Sequence, residues 1–218
     1  SGFDEKEITI SSSTFKDIYD IESGAFAYIQ GYDLTLTSNS FEGISTTTSG
    51  TGAILYIYDY SGTSYSFTSN TFTDISSYQY AILDMSDCDA SETRSFYYNS
   101  FEDITSLGST AFGLFSATDC AFTFISNDFL DIHSSYADAN DLGEDSAIKI
   151  EDASSVTMTS NSIKYVTTEE NDYETFLEIE GDSVLADVTF ASNTIYCQEQ
   201  YQDSTDANMT AVIYLSSL

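Results

Sequence analysis

The chain has 218 residues, of which 36 are acidic and 5 basic, for a formal net charge of −31. A surface so negative repels nucleic acid and anionic membranes, which excludes a nucleic-acid partner, and it favours solubility and attracts divalent cations. Hydrophobic residues make up 41% and aromatics 15%, enough to fold, and no apolar run reaches the 18 residues of a membrane-spanning helix.

The first patterned segment, Ile8-Thr9-Ile10-Ser11-Ser12-Ser13-Thr14-Phe15-Lys16-Asp17-Ile18, states a phrase that then recurs six times with asparagine in the place of Ser13. The copies run Leu36 to Asn39, Phe67 to Asn70, Phe96 to Asn99, Phe124 to Asn127, Met158 to Asn161 and Phe190 to Asn193, and their asparagines lie 31, 29, 28, 34 and 32 residues apart. Two positions beyond each asparagine stands an apolar residue, and usually another three further on: Phe41 and Ile44, Phe72 and Ile75, Phe101 and Ile104, Phe129 and Ile132, Ile163 and Val166, with Ile195 alone in the last copy. Between copies comes a second phrase of apolar alternation, from Ala25-Phe26-Ala27-Tyr28-Ile29 through Ala53-Ile54-Leu55-Tyr56-Ile57 to Ala211-Val212-Ile213-Tyr214-Leu215.

Each apolar run is short, alternates with period two and is bounded by Ser, Thr, Asn, Asp and Gly, which predicts strands and excludes helices. A unit of about 30 residues cannot bury its apolar face alone, so the units must stack. Parallel stacking at about 4.8 Å sets Phe on Phe, Ile on Ile and Asn on Asn. The expectation is one all-β domain over residues 1–218, a right-handed parallel β-helix of about seven coils. Asn39, Asn70, Asn99, Asn127, Asn161 and Asn193 form an internal ladder in it, because a turn asparagine accepts unusual backbone angles and offers both a carbonyl and an amide. The absence of proline agrees with a backbone whose donors belong to ladders.

The pairing of Phe67-Thr68-Ser69-Asn70 with Gly52-Ala53-Ile54 resembles the repeats of polymorphic outer membrane proteins, and more broadly the right-handed β-helices of the pectate-lyase-like superfamily. The resemblance covers nearly the whole chain through short motifs; Tyr80, Thr110, Ser146 and Thr210 stand where Gly24 and Gly52 precede the alanine in the early copies. It implies a surface or secreted solenoid with an adhesive or structural role.

Cys88 and Cys120 follow the second phrase in adjacent coils, in the tripeptides Ser86-Asp87-Cys88 and Thr118-Asp119-Cys120, and form either a disulfide or a pair of stacked thiols; Cys197 has no evident mate. The insertion from Tyr136 to Asp145 offers Asp138, Asn140, Asp141, Glu144 and Asp145 as a calcium loop, or else a solvated acidic loop; calcium is the one cofactor the residues suggest. Asn208-Met209-Thr210 is an N-glycosylation sequon. His133, the sole histidine, sits between Asp131 and Ser134, yet strand neighbours point to opposite faces and do not converge as a triad. Lyases and galacturonases on such folds need converging acids with Arg or Lys, and Lys6, Lys16, Arg94, Lys149 and Lys164 are scattered.

The chain opens with the asparagine-type strand and closes with the other type, so it is expected to hold a whole number of coils without a polar cap. It then reads as a mature or excised segment: a fragment of a longer β-helix, or a subunit whose coils continue into the next through Ile8 and Ile10 at one end and Val212 and Tyr214 at the other. The expected function is a non-enzymatic extracellular or cell-surface structural or adhesive β-helix. Its partners are further copies of itself end to end, surface proteins or glycans. The alternatives are a carbohydrate-binding or polysaccharide-degrading β-helix, and an ice-binding solenoid that uses outward Thr35, Thr37, Thr68, Thr157, Thr159 and Thr189 in an array broken by Tyr97, Ile125 and Ala191.

Overall fold

A computed structural model of the chain describes residues 6–20, 26–46, 54–58, 64–77, 82–86, 93–106, 114–118, 120–135, 145–152, 155–169, 174–181, 187–196 and 209–217. Each coil contributes three strands. They are β1 (Glu7–Ser11), β2 (Thr14–Asp20) and β3 (Ala27–Gln30); β4 (Asp33–Thr37), β5 (Ser40–Thr46) and β6 (Leu55–Tyr58); β7 (Tyr65–Thr68), β8 (Thr71–Ser77) and β9 (Leu83–Ser86); and β10 (Thr93–Tyr97), β11 (Ser100–Ser106) and β12 (Phe115–Thr118). The remaining coils are β13 (Ala121–Ile125), β14 (Asp128–Ser135) and β15 (Asp145–Glu151); β16 (Ser155–Thr159), β17 (Ser162–Glu169) and β18 (Glu174–Gly181); and β19 (Asp187–Ala191), β20 (Thr194–Tyr196) and β21 (Met209–Ser217).

Every third strand pairs in parallel, giving three seven-stranded sheets: sheet A from β1 to β19, sheet B from β2 to β20 and sheet C from β3 to β21. The molecule is a parallel β-helix, all-β as the alternation predicts. The registers align like with like. In sheet B, Phe15, Phe41, Phe72, Phe101 and Phe129 occupy one inward column, continued by Ile163 and Ile195. Successive rings from Phe15 to Phe129 lie 5.0, 5.0, 5.0 and 5.1 Å apart and stacked. That spacing is close to the strand repeat, so the sheet itself sets the ring offset that aromatic pairs prefer.

The walls meet edge to face across the interior. Phe115 of sheet C contacts Phe96 of sheet A at 5.0 Å and Phe101 of sheet B at 5.5 Å, with interplanar angles of 65° and 87°. Phe26 and Phe176 do the same against Phe15 and Phe129 near the two ends. Aromatic columns along the axis and edge contacts across it together fill a lumen that aliphatic residues of sheet C complete.

The spacing of the inward pair in sheet B has its own physical cause. Phe101 and Ile104 are three residues apart, which in a regular strand would send them to opposite faces. Asp103 between them has a φ of 53°, and the register passes from Glu102↔Leu130 to Ile104↔Ile132 across it. The same left-handed kink falls at Asp17, Asp74 and Asp131, with φ from 52° to 54°, and at Gly43, with φ 64°. In each of the first five coils a left-handed residue within the sheet B strand therefore rotates it and returns the second apolar side chain to the core. Aspartate tolerates this conformation, and glycine serves where a Cβ would meet Asp17 Oδ1 at 3.2 Å.

Phe101→Ala removes a fully buried ring from the middle of the column and leaves a cavity between rigid neighbours. The expected loss is about 3 to 5 kcal/mol in a reversible denaturation series; a loss under about 1 kcal/mol would place Phe101 outside the stack.

Candidate functional site

At the corner between sheets A and B the chain turns within two residues. The first is left-handed in every coil: Ser12, Ser38, Ser69, Tyr98, Ser126, Ser160 and Ser192, with φ between 50° and 58°. The second is Ser13 or a ladder asparagine. In coils one to six the N–H of the left-handed residue donates to a carbonyl of the following coil, from Ser12 to Thr37 O through Ser160 to Ala191 O. The residue after each asparagine donates back to the preceding corner, for instance Thr71 N–H to Asn39 O and Ser100 N–H to Asn70 O.

The asparagine side chains complete the pattern. Asn99 Oδ1 accepts from Asn70 N–H at 2.9 Å and Asn70 Nδ2 at 3.0 Å, while Asn99 Nδ2 donates to Phe67 O at 2.9 Å and to Asn127 Oδ1 at 3.1 Å. Asn70, Asn127 and Asn161 repeat these four bonds within a few tenths of an ångström, and Asn39 repeats three of them. Both lone pairs of each Oδ1 and both protons of each Nδ2 are thereby used, save that Asn39 Oδ1 receives only the Ser13 N–H. Asn193 accepts from Asn161 and donates to Met158 O. Ser13 stands where no earlier rung among the described residues needs an amide, and its hydroxyl turns to Ser11 O at 3.0 Å.

The outward faces carry whatever chemistry the fold leaves accessible. On sheet A the outward residues form columns about 4.8 Å apart along the axis and about 6.7 Å apart along a strand. The central column is Thr9, Thr35, Ser66, Ser95, Thr123, Thr157 and Thr189, a hydroxyl at every rung. Tyr97, Ile125 and Ala191, which interrupt the array in sequence, belong to the adjacent column with Ser11, Thr37, Thr68 and Thr159. The interruption is thus confined to one edge of the face.

The basic residues do not gather. Arg94 occupies an inward position of β10, fully buried between Tyr65 and Phe122 in its column, with its guanidinium 5.0 Å from the Tyr65 ring. Sequence reading missed this, because strand alternation reveals the inward position only once Phe96 is placed two residues on. Lys16 pairs with Glu42, Lys149 lies 3.6 Å from the buried Glu178 carboxylate, and Lys6 stands over the Tyr32 ring at 5.3 Å. His133 is aligned in backbone register with Thr105 and Thr167 on sheet B, and Asp131 is an exposed left-handed residue of that coil.

Of the proposed calcium ligands, Asp138, Asn140, Asp141 and Glu144 lie outside the described residues. Asp145 is not in a loop: it opens β15, its backbone aligned with Glu174. Among the described residues no group of three His, Cys, Asp or Glu could hold a metal ion. Asn208 is likewise outside them. Ile8 and Ile10 are half-buried on β1, and Val212 and Tyr214 belong to β21. No helix of the described residues is long and apolar enough to cross a membrane. Comparison with protein-family models, curated proteins and solved structures gave no match.

Cys120 is disulfide-bonded. Cys88 and Cys197 lie outside the described residues, but β9 and β12 align Met85 with Ala117, three residues before Cys88 and Cys120 respectively. Non-reducing peptide mapping is expected to recover a Cys88–Cys120 linkage, and a Cys120–Cys197 peptide would contradict that register.

Asn99→Ala leaves partners on both sides without bonds and should destabilise by about 2 kcal/mol or more, against a smaller loss for Asn193→Ala at the end of the ladder. Equal losses would mean that the ladder does not carry the corner. Asn99→Asp replaces the Nδ2 donors by an oxygen facing Phe67 O and Asn127 Oδ1, so burial and repulsion raise the carboxyl's folded pKa above the unfolded value of about 3.9. Its penalty is therefore smallest below about pH 4 and grows as pH rises through the raised value, which parallel melts at acid and neutral pH would reveal.

Proposed function

We propose that this chain is a non-enzymatic structural or adhesive β-helix of the extracellular space or cell surface. The observation that carries the reading is the use made of the polar groups that could do chemistry. The buried asparagines direct their amides to neighbouring coils, Arg94 is in the core, and Lys16 and Lys149 face carboxylates of adjacent rungs. The resemblance of the Phe-x-x-Asn and Gly-Ala-Ile phrases to polymorphic outer membrane protein repeats supports the same reading. So does the disulfide at Cys120, a bond that persists in oxidising compartments. The charge of −31 directs partners toward neutral or cationic surfaces.

A second reading is favoured by the unbroken hydroxyl column of sheet A. A sheet face with hydroxyls repeating in two directions is suited to holding ordered water, as at an ice surface, and the neighbouring column extends it over the first three coils and at Thr159. The two readings separate in solution. The structural reading expects no release of reducing ends from neutral or acidic polysaccharides and no thermal hysteresis; sugar release would overturn it in favour of a polysaccharide-degrading β-helix. Thermal hysteresis that Thr123→Tyr abolishes, without change in melting temperature, would establish the hydroxyl face instead.

A further inference from the structure

Tyr98 is the exception among the corner residues. It holds the left-handed position that serine fills in the other six coils, with a φ of 58°, and it is 64% exposed. A bulky side chain seldom adopts that conformation, and one left in solvent gains no core packing in exchange. The corner itself does not call for a ring: Tyr98 N–H donates to Ile125 O at 3.1 Å just as Ser69 N–H donates to Tyr97 O at 2.9 Å. We propose that Tyr98, with Tyr97 and Ile125 beside it, is a binding platform for a neutral glycan, its ring stacked on the C–H face of a sugar. The proposal rests on the adhesive form of the reading above and names the site and the class of ligand.

The geometry gathers three apolar side chains in the middle of the solenoid. Tyr97 lies in the outward column of sheet A nearest the corner, aligned with Thr68 on one side and Ile125 on the other, and all three are half-buried. Ser126, the corner residue one coil on from Tyr98, is half-buried too, whereas the other corner serines are exposed. A Tyr98 ring that leans along the ridge over that rung accounts for the difference, and it sets an aromatic surface beside Ile125.

The surroundings select the ligand. The central column of sheet A bears a hydroxyl at every rung, the corner column in every coil but that of Tyr98, and the first column of sheet B, from Thr14 to Thr194, at every rung but that of Asp128. Asp128 is the one charged residue in these columns and in that of Tyr97, although the chain carries a net charge of −31. Such a surface offers an ionic ligand almost no counter-charge, and the acidic remainder of the molecule repels an anionic one. A protein partner needs about 800 Å² per side around an apolar centre. Two tyrosines and an isoleucine in a field of hydroxyls are too few for that. A sugar fits them, because its C–H face covers an aromatic ring while its hydroxyls exchange hydrogen bonds with serine and threonine, the same division of labour that tyrosine and serine have in antibody recognition. The columns run along the solenoid axis, so an extended polysaccharide would follow the ridge.

The test is affinity electrophoresis of the 218-residue chain through gels that contain a soluble neutral β-glucan or mannan, with galacturonan as the anionic control and sedimentation velocity on the same samples. The expected result is retardation by at least one neutral polysaccharide and none by galacturonan, unchanged between about 0.05 M and about 0.5 M salt. Tyr98→Ser installs the residue of the other six corners, so the melting temperature should hold or rise while the apparent affinity falls about tenfold. Tyr98→Phe keeps the ring and should keep most of the affinity. Tyr97→Thr, which installs the residue of the aligned Thr68, is the second arm and should weaken retardation at an unchanged melting temperature. Tyr19→Ser removes another exposed ring, on β2, and should leave retardation as it is. No retardation by any neutral polysaccharide, or equal retardation of wild type and Tyr98→Ser, overturns the platform. A lower melting temperature with intact affinity in Tyr98→Ser also overturns it and makes the ring a structural element. Self-association that Tyr98→Ser abolishes overturns it in favour of a second copy as the occupant. None of these results touches the non-enzymatic reading, which falls separately if the same preparation releases reducing ends from the polysaccharides.

Discussion

The rest of the structure depends on a single interaction, the amide of a buried asparagine bonded at once to the rung before it and the rung after. A corner between two parallel strands removes several backbone groups from water and gives them no partner within the coil. Asparagine answers this with one carbonyl and one amide, and a left-handed residue just before it, serine in all but the Tyr98 coil, aims a further N–H at the next rung. Each corner is complete only when its neighbours are present. A lone coil would bury donors and acceptors unpaired, so the ladder makes the stack cooperative, and stability is built from coil-to-coil contacts rather than from coils.

The core is subordinate to that ladder. Once the corners are in register, side chains two positions before or after them must stack on their counterparts, and phenylalanine does so at the strand spacing with the ring offset it prefers. Departures from uniformity show what the interior tolerates. Met158 and Ile163 replace phenylalanine in their columns, and Arg94 replaces an apolar residue at a site walled by Tyr65 and Phe122. A buried guanidinium is expensive to desolvate, and the aromatic face beside it recovers part of that cost.

Outside, the same periodicity produces extended columns of one chemical character. The hydroxyl column of sheet A is continuous because outward positions of a strand bear no packing constraint but must remain compatible with a β-structure, which threonine and serine are. Sheet C differs: Tyr28 and Tyr56 lie outward with ring centroids 5.3 Å apart, and further along the same column Lys149 meets Glu178, whose side chain is almost fully buried. A solenoid with distinct lateral faces and acidic flanks can present several surfaces along one rigid axis, which is the property a structural or adhesive role requires.

Much of this was legible in the chain itself. Repetition at about 30 residues and alternation with period two were enough for strands, stacking and the identity of the ladder residues, because each coil repeats the same local problem and solves it with the same letters. Other features came only from the fold. The three-residue step from Phe101 to Ile104 contradicts simple alternation until the left-handed Asp103 is seen, and the serines before the asparagines are unremarkable letters until their positive φ is known. The division of the outward threonines into a continuous column and an interrupted one, and the inward position of Arg94, depend on register, which links residues about 30 apart. Sequence determines what each coil can do locally; which side chains become neighbours is decided only when the coils are laid one on another.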